Sequence, residues 1–192
     1  MEITILNRTG KYRAIQRLAL LLLLLLPGRA TAEPAQEYSV KAAIILNFAR
    51  YTQWPAPPAA GTPLTLCVLG NGFLKEVFAS IHGKEVNGRP LRVRHAAAPE
   101  GISPCDILFV PRDFDRRTLT DLLRRLRRSP VLTIGESPGF IAAGGMINLF
   151  QRDNRIRFEV NPGAVQDHGL MISSRLLKLA IIVENPTTGQ EP

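Results

Sequence analysis

Apolar positions along residues 37–53 (EYSVKAAIILNFARYTQ) recur at helical spacing. Tyr38, Ala42, Ile45 and Ala49 fall on one face at i, i+4, i+7 and i+11, with Val40, Ile44 and Phe48 beside them. Lys41 and Arg50 are expected to reach water, and Trp54-Pro55 to end the helix, because a residue before proline is pushed out of the α region. Residues 55–63, rich in proline, alanine and glycine, read as a loop. Beyond it the period shortens. Leu64–Leu69 is a short apolar β-type run, followed by Gly70-Asn71-Gly72 and a helix around residues 73–80. Residues 90–95 alternate as a strand, Leu91 and Val93 on one side and Arg92 and Arg94 on the other. Ile107–Val110 reads as a buried strand. Asp113 or Asp115 can then cap a helix whose Phe114, Leu119, Leu122, Leu123 and Leu126 make one apolar face, and residues 131–134 give another apolar strand. Strand–helix–strand alternation with short connections predicts an α/β fold with a largely parallel central sheet flanked by helices.

The last third differs in character. Residues 146–151 and Arg155–Val160 are strand-like and joined by Arg152-Asp153-Asn154, which predicts a β-hairpin. A short turn is expected over residues 161–168. Ser173 or Ser174 can cap a final helix carrying Leu176, Leu177, Leu179, Ala180, Ile181 and Val183. On the second hairpin strand Arg155, Arg157 and Glu159 share one face by period two, while Ile156, Phe158 and Val160 share the other. No internal repeat is present.

The N-terminal segment changes how composition is read. Lys11, Arg13 and Arg17 precede an almost pure leucine run from 18 to 26, then Pro27-Gly28 and the small residues Ala30-Thr31-Ala32, the three parts of a cleavable export signal over residues 1–32. The leucine run is roughly half of the about 20 apolar residues needed to cross a bilayer, and later apolar stretches are interrupted by Lys and Arg. The expected mature chain, 33–192, is therefore one exported domain with an ordered core at about 37–184, not membrane-spanning. The whole chain carries 24 Lys+Arg against 16 Asp+Glu, but residues 1–32 hold five of the former and one of the latter. The remainder is left at 19 against 15, a net +4, which removes much of the support for a nucleic-acid partner. Cys67 and Cys105 would sit in an oxidising compartment, where a structural disulfide is the simplest reading. Closing the loop between them would contribute about 4 kcal/mol on chain-entropy grounds. Only His82, His95 and His168 are available as further metal ligands, and none has ligand spacing to a cysteine, so no metal or cofactor is expected.

Three motifs invite chemistry. Gly135-Glu136-Ser137-Pro138-Gly139 fits the nucleophile-elbow pattern G-x-S-x-G, but the residue that should donate its N–H to an oxyanion is Pro138. His168 would be the only downstream base, with Asp153 or Asp167 as acid; a Gly/Pro loop is the better account. Gly70-Asn71-Gly72 lies between a strand and a helix as a dinucleotide fingerprint would, yet Lys75 occupies the third glycine position. The turn could still hold a small anion at the helix start. Arg124, Arg125, Arg127 and Arg128 resemble a polyanion site but stand where a helix C-terminus favours positive charge on a solvated face. No catalytic constellation assembles, and the chain is not expected to be an enzyme.

Three stretches resemble the YfiR family of periplasmic proteins, whose best-known role is repression of a membrane-bound diguanylate cyclase. Residues 40–55 (VKAAIILNFARYTQWP) are close to the family's opening K-A-A-x-x-x-N-F-x-x-x-x-x-W-P helix. Leu64–Leu69 with Gly70, then Gly88-Arg89-Pro90-Leu91, Cys105-Asp106-Ile107-Leu108 and Val131-Leu132-Thr133-Ile134 follow in order. Residues 144–161 (GGMINLFQRDNRIRFEVN), continuing into 170–179 (LMISSRLLKL), are the most specific part. The resemblance implies a non-enzymatic α/β domain that binds the periplasmic sensor region of an inner-membrane diguanylate cyclase and lowers cyclic di-GMP. Cys67 and Cys105 match the positions of a family disulfide; some relatives carry a second cysteine pair near residues 139–153, and this sequence has none there. By the motif match, partner contacts are expected at Phe150, Arg152, Arg157 and Glu159, with Ser173 and Arg175 added. A homodimer is left open. The rival reading is a small-molecule-binding periplasmic module acting on another membrane partner. A deep pocket at Gly70, Asn71, Gly72 and the end of the preceding strand would favour it.

Overall fold

The computed structural model describes residues 34–184 apart from 57, 58, 60, 71 and 103. The expected export leader and Asn71 lie outside the described residues. Helix α1 (Pro34–Arg50) leads into β1 (Thr52–Gln53), and β2 (Leu64–Leu69) into α2 (Gly72–Ala79). Then come β3 (Glu85–Val86), β4 (Arg89–Ala96), a 3-10 turn at Pro99–Gly101, β5 (Ile107–Val110), α3 (Arg116–Arg125) and β6 (Leu132–Gly135). The hairpin strands β7 (Ile147–Arg152) and β8 (Arg155–Val160) precede α4 (Pro162–Asp167), β9 (Met171–Ile172), α5 (Ser174–Leu177) and β10 (Ile181–Ile182). An eight-stranded sheet runs in the order β10-β8-β7-β6-β5-β2-β4-β3. Pairing is parallel from β7 through β4 and between β10 and β8; β7–β8 and β3–β4 are antiparallel. The chain is thus a mixed α/β domain built on a mostly parallel sheet, as the apolar pattern predicts.

Both faces of the central strands are covered, which is why β2, β5 and β6 read as continuous apolar runs. Alternate residues divide between two cores. Leu64, Leu66, Val68, Ile107, Phe109 and Ile134 pack with Ala42, Ile45, Phe48, Leu74 and Phe78 of α1 and α2. Cys67, Leu69, Leu108 and Val110 pack on the other face with Leu119, Leu122 and Leu123 of α3. Asp115 is the residue that caps α3, its carboxylate accepting the backbone N–H groups of Arg117 and Thr118. Those bonds, led by the Thr118 hydroxyl, hold its carboxyl below the usual range. Cys67 and Cys105 form a disulfide with Cα atoms 5.9 Å apart, closing a 38-residue separation that contains α2, β3 and β4.

Four expectations need correction. Helix α1 stops at Arg50, short of Trp54-Pro55, because Thr52 and Gln53 leave it to pair with Ile172 and Met171, and the Thr52 hydroxyl donates to the Phe48 carbonyl at 2.8 Å. Lys41 does not reach water; it is 5% exposed. Residues 161–168 are not a plain turn but contain α4, with Asn161 accepting the Ala164 N–H at 3.0 Å and Pro162 in the first turn. The expected long C-terminal helix is the single turn α5, capped by Ser173, after which Ile181 and Ile182 form an edge strand on β8. A dense run of Leu and Ile carries no helical face of its own, and β-branched residues beside an open strand edge settle as strand. Smaller differences lie at the turns. Arg152 pairs with Arg155, so the hairpin loop is only Asp153-Asn154, both at positive φ (51° and 57°), as a type I′ turn requires.

Phe140 is the tightest point of the second core. It lies against Gly135 and Gly145, where a Cβ atom would stand 2.2 and 2.1 Å from its ring. Gly135→Ala is therefore expected to destabilise the protein by about 1–3 kcal/mol, the range for overpacking. The midpoint of a urea unfolding curve should fall accordingly; an unchanged midpoint would show that Phe140 yields freely.

Candidate functional site

The carboxyl ends of the parallel strands gather a buried polar cluster. Glu136, first residue after β6, is 3% exposed. Its carboxylate forms an ion pair with Lys41 and accepts the Tyr38 hydroxyl at 2.6 Å and the Arg112 backbone N–H at 3.2 Å. The Lys41 ammonium also meets Glu37 at 2.6 Å and lies 4.3 Å from the centre of the Tyr38 ring. Burial first, and then the bond to Glu136, push the Tyr38 phenol well above its ordinary range, so it stays a neutral donor. The sequence signal for this cluster is a lysine beside the apolar stripe of α1.

Next to this cluster opens a cavity of about 410 Å³ lined by Tyr38, Gly70, Phe73, Pro111, Asp113 and Phe114 among others. Gly70 and Pro111 are the residues at which β2 and β5 release the chain. Since β4 lies on one side of β2 and β5 on the other, this is the point where strand order reverses, the usual crevice for ligands in open α/β sheets. Ser137 of the G-x-S-x-G stretch is buried, its hydroxyl 3.5 Å from the Arg112 carbonyl, while His168 donates from Nδ1 to the Ala164 carbonyl at 2.7 Å. Each is engaged with a different backbone carbonyl, and no hydrogen bond joins the two. Among the described residues no group of three or more His, Cys, Asp or Glu could hold a metal ion, and no helix is long and apolar enough to cross a membrane.

The hairpin arranges the sequence-selected residues in two sets. In the β7–β8 register Asn148 faces Glu159, Phe150 faces Arg157 and Arg152 faces Arg155. These pairs share one side, while Leu149 with Phe158 and Ile147 with Val160 turn to the α1 core. Arg152, Arg155 and Arg157 are exposed; Phe150 and Glu159 are half-buried. The parallel edge strand adds Ile181 beside Glu159, a neighbour the expected C-terminal helix had hidden. Ser173 and Arg175 stand apart. The Ser173 N–H donates to the Tyr51 carbonyl at 2.9 Å, and its side chain caps α5, whose Leu176 enters the α1 core.

A mixed α/β domain with a mostly parallel sheet, a carboxyl-edge crevice and a charged hairpin face is the class these elements define. Residues 38–181 match the YfiR/HmsC-like family, and the chain belongs to that family. The family is one of periplasmic regulators of diguanylate-cyclase signalling. In fold, the chain is similar to the crystal structure of a conserved domain protein from Vibrio cholerae O1 biovar El Tor strain N16961. Identity is 10%, the TM-score 0.52, and the match covers 76% of this chain and 59% of that one.

Two outcomes follow from the electrostatics. Lys41→Met leaves the Glu136 carboxylate buried without its cation and is expected to cost about 3–5 kcal/mol in chemical denaturation, while Lys41→Met combined with Glu136→Leu should recover most of it. If the single and double variants are equally unstable, the ion pair is not what the carboxylate requires. His95 has a buried Nδ1 without a hydrogen-bond partner, and burial, then Lys75, lower its pKa from 6.5. The unfolded chain therefore binds the proton more readily, so stability should fall as pH drops below about 6.5 and level off below the folded value. His95→Gln should flatten that part of a stability–pH profile.

Proposed function

We propose that this protein represses an inner-membrane diguanylate cyclase by binding the enzyme's periplasmic sensor region through the outer face of the β7–β8 hairpin. One observation carries the reading: Phe150, Arg152, Arg157 and Glu159 share a single side, a half-buried aromatic among arginines. An aromatic anchor ringed by polar groups is the usual composition of a binding hot spot, and the arginines favour an acidic partner surface. Export through the leader at residues 1–32 would deliver the domain to the compartment of that sensor, and the Cys67–Cys105 disulfide suits an oxidising one. Repression requires tighter binding to the inactive arrangement of the cyclase than to the active one; contact alone shifts nothing. Ser173 and Arg175, on the other side of the sheet, would contribute to a second contact or to none.

The crevice beside Tyr38, Phe73 and Asp113 supports a second reading, a small-molecule sensor, because an aromatic-lined cavity with one carboxylate lies at the strand-order reversal. The two readings separate genetically. Under the first, deleting the gene raises cyclic di-GMP through one cyclase, and Phe150→Ala or Arg157→Glu reproduces the deletion while the purified variants melt near the parent. Loss of the anchor should weaken binding to the sensor region by roughly thirtyfold, the scale of a 2 kcal/mol hot spot. Full repression by both variants would defeat the hairpin assignment.

A further inference from the structure

Past the end of α3 the arginine run meets a cleft that no part of the hairpin face explains. Two adjoining cavities of about 380 and 420 Å³ share Arg127, Asp167 and His168 in their linings; Arg124, Thr120 and small apolar residues also line the first, and Arg128 the second. The helix macrodipole accounts for Arg124 and Arg125, which lie in the last turn. Arg127 and Arg128 lie past the last helical turn, after the Leu126 cap. Arg124 is paired with Asp121 at 3.1 Å, whereas no carboxylate lies within ion-pair reach of Arg127 or Arg128 among the described residues. Among the described residues Asp167 is the one carboxylate in the linings, so the cleft keeps a positive excess.

Arg128 is also strained. Its φ is +63°, in the left-handed region; among the described residues the other non-glycine ones found there are Asn87, Asp153 and Asn154, types whose short polar side chains tolerate it. Just beyond a helix end this conformation is ordinarily given to glycine. Arg128 thus holds, at a cost in backbone strain, a conformation that glycine adopts freely.

We propose that this cleft binds a small phosphoryl-bearing anion, held by the guanidinium groups of Arg127 and Arg128 with His168 beside them. Guanidinium forks match phosphoryl oxygens bidentately, and a concavity of this size suits a small anion better than a nucleic-acid duplex. Either a free phosphate ester or the headgroup of an anionic phospholipid presents this chemistry. The site lies apart from the hairpin face and does not depend on its assignment.

The test is calorimetric titration of the purified protein with inorganic pyrophosphate and inorganic phosphate. It is paired with co-sedimentation on phosphatidylglycerol and phosphatidylcholine vesicles, for the parent, Arg127→Gln and Arg128→Gly. Each variant is expected to weaken anion binding about tenfold or more, as the loss of one charge-assisted contact does. Arg128→Gly should do so while melting at the same or a higher temperature, because glycine relieves the backbone; loss of binding is then not loss of fold. Arginine-dependent binding to phosphatidylglycerol vesicles without binding to free phosphates assigns the phosphoryl group to a lipid and supports the site. Binding of no probe at millimolar concentration, or binding unchanged in both variants, overturns it.

Discussion

The ion pair between Lys41 and Glu136 sets the terms for the rest of the fold. Moving an ammonium and a carboxylate out of water costs several kcal/mol each, and only close mutual contact with further hydrogen bonds offsets that. Here the further bonds come from Tyr38 and the Arg112 backbone, so helix α1 must lie across the carboxyl edge of the sheet in one register. The other end of the same segment is fastened too: the Trp54 indole donates to the Asp106 carbonyl at 3.3 Å, and Asp106 in turn accepts the Thr65 N–H at 2.7 Å. Between these fasteners Phe48 meets Phe158 of the hairpin strand with ring centres 4.8 Å apart. The lysine, phenylalanine and tryptophan of the family-like opening motif are therefore the residues by which α1 grips the top of the sheet, the hairpin and the strand starts.

How far this was legible depends on the reach of each pattern. Strands buried on both faces announce themselves through unbroken apolar runs, and the hairpin through a polar turn between two alternating segments. Both are local signals. Lys41 turns inward against its helical pattern because periodicity carries only its own segment, while the charge that draws it inward is on a loop after β6. The end of α1 follows the same logic: a proline rule gives the latest possible stop, and pairing with Met171 and Ile172 imposes an earlier one. At the C-terminus Ile181 and Ile182 fit helix or strand equally until β8 offers an edge.

The proposed surfaces divide along the same line. Period two was enough to place Arg157 and Glu159 on one side, and antiparallel register adds Phe150 and Arg152 to it. Ser173 and Arg175 share a sequence neighbourhood with the family-like C-terminal stretch but not a place with the hairpin set, because α5 turns back onto the α1 core. The arginine cleft was half legible. A run of basic residues at a helix end looks like an ordinary solvated face, and only folding places His168 and Asp167 against it. Surfaces made from one hairpin can be read in advance; surfaces made from distant elements cannot.

The small ladder of β1 and β9 has a dynamic meaning. Its two residue pairs tie the end of the first helix to the last part of the domain and enclose most of the described chain, from Thr52 to Ile172, in one loop. Closing so long a loop returns only a few hydrogen bonds, so the ladder gains little until the sheet between its ends has formed. It is placed to assemble late and open early, a low-stability unit fastened to a high-stability one. Amide protons there should exchange through local fraying while those of β2 and β5 wait for global unfolding. The α5 side can thus be remodelled on its own timescale, with the central strands left in register.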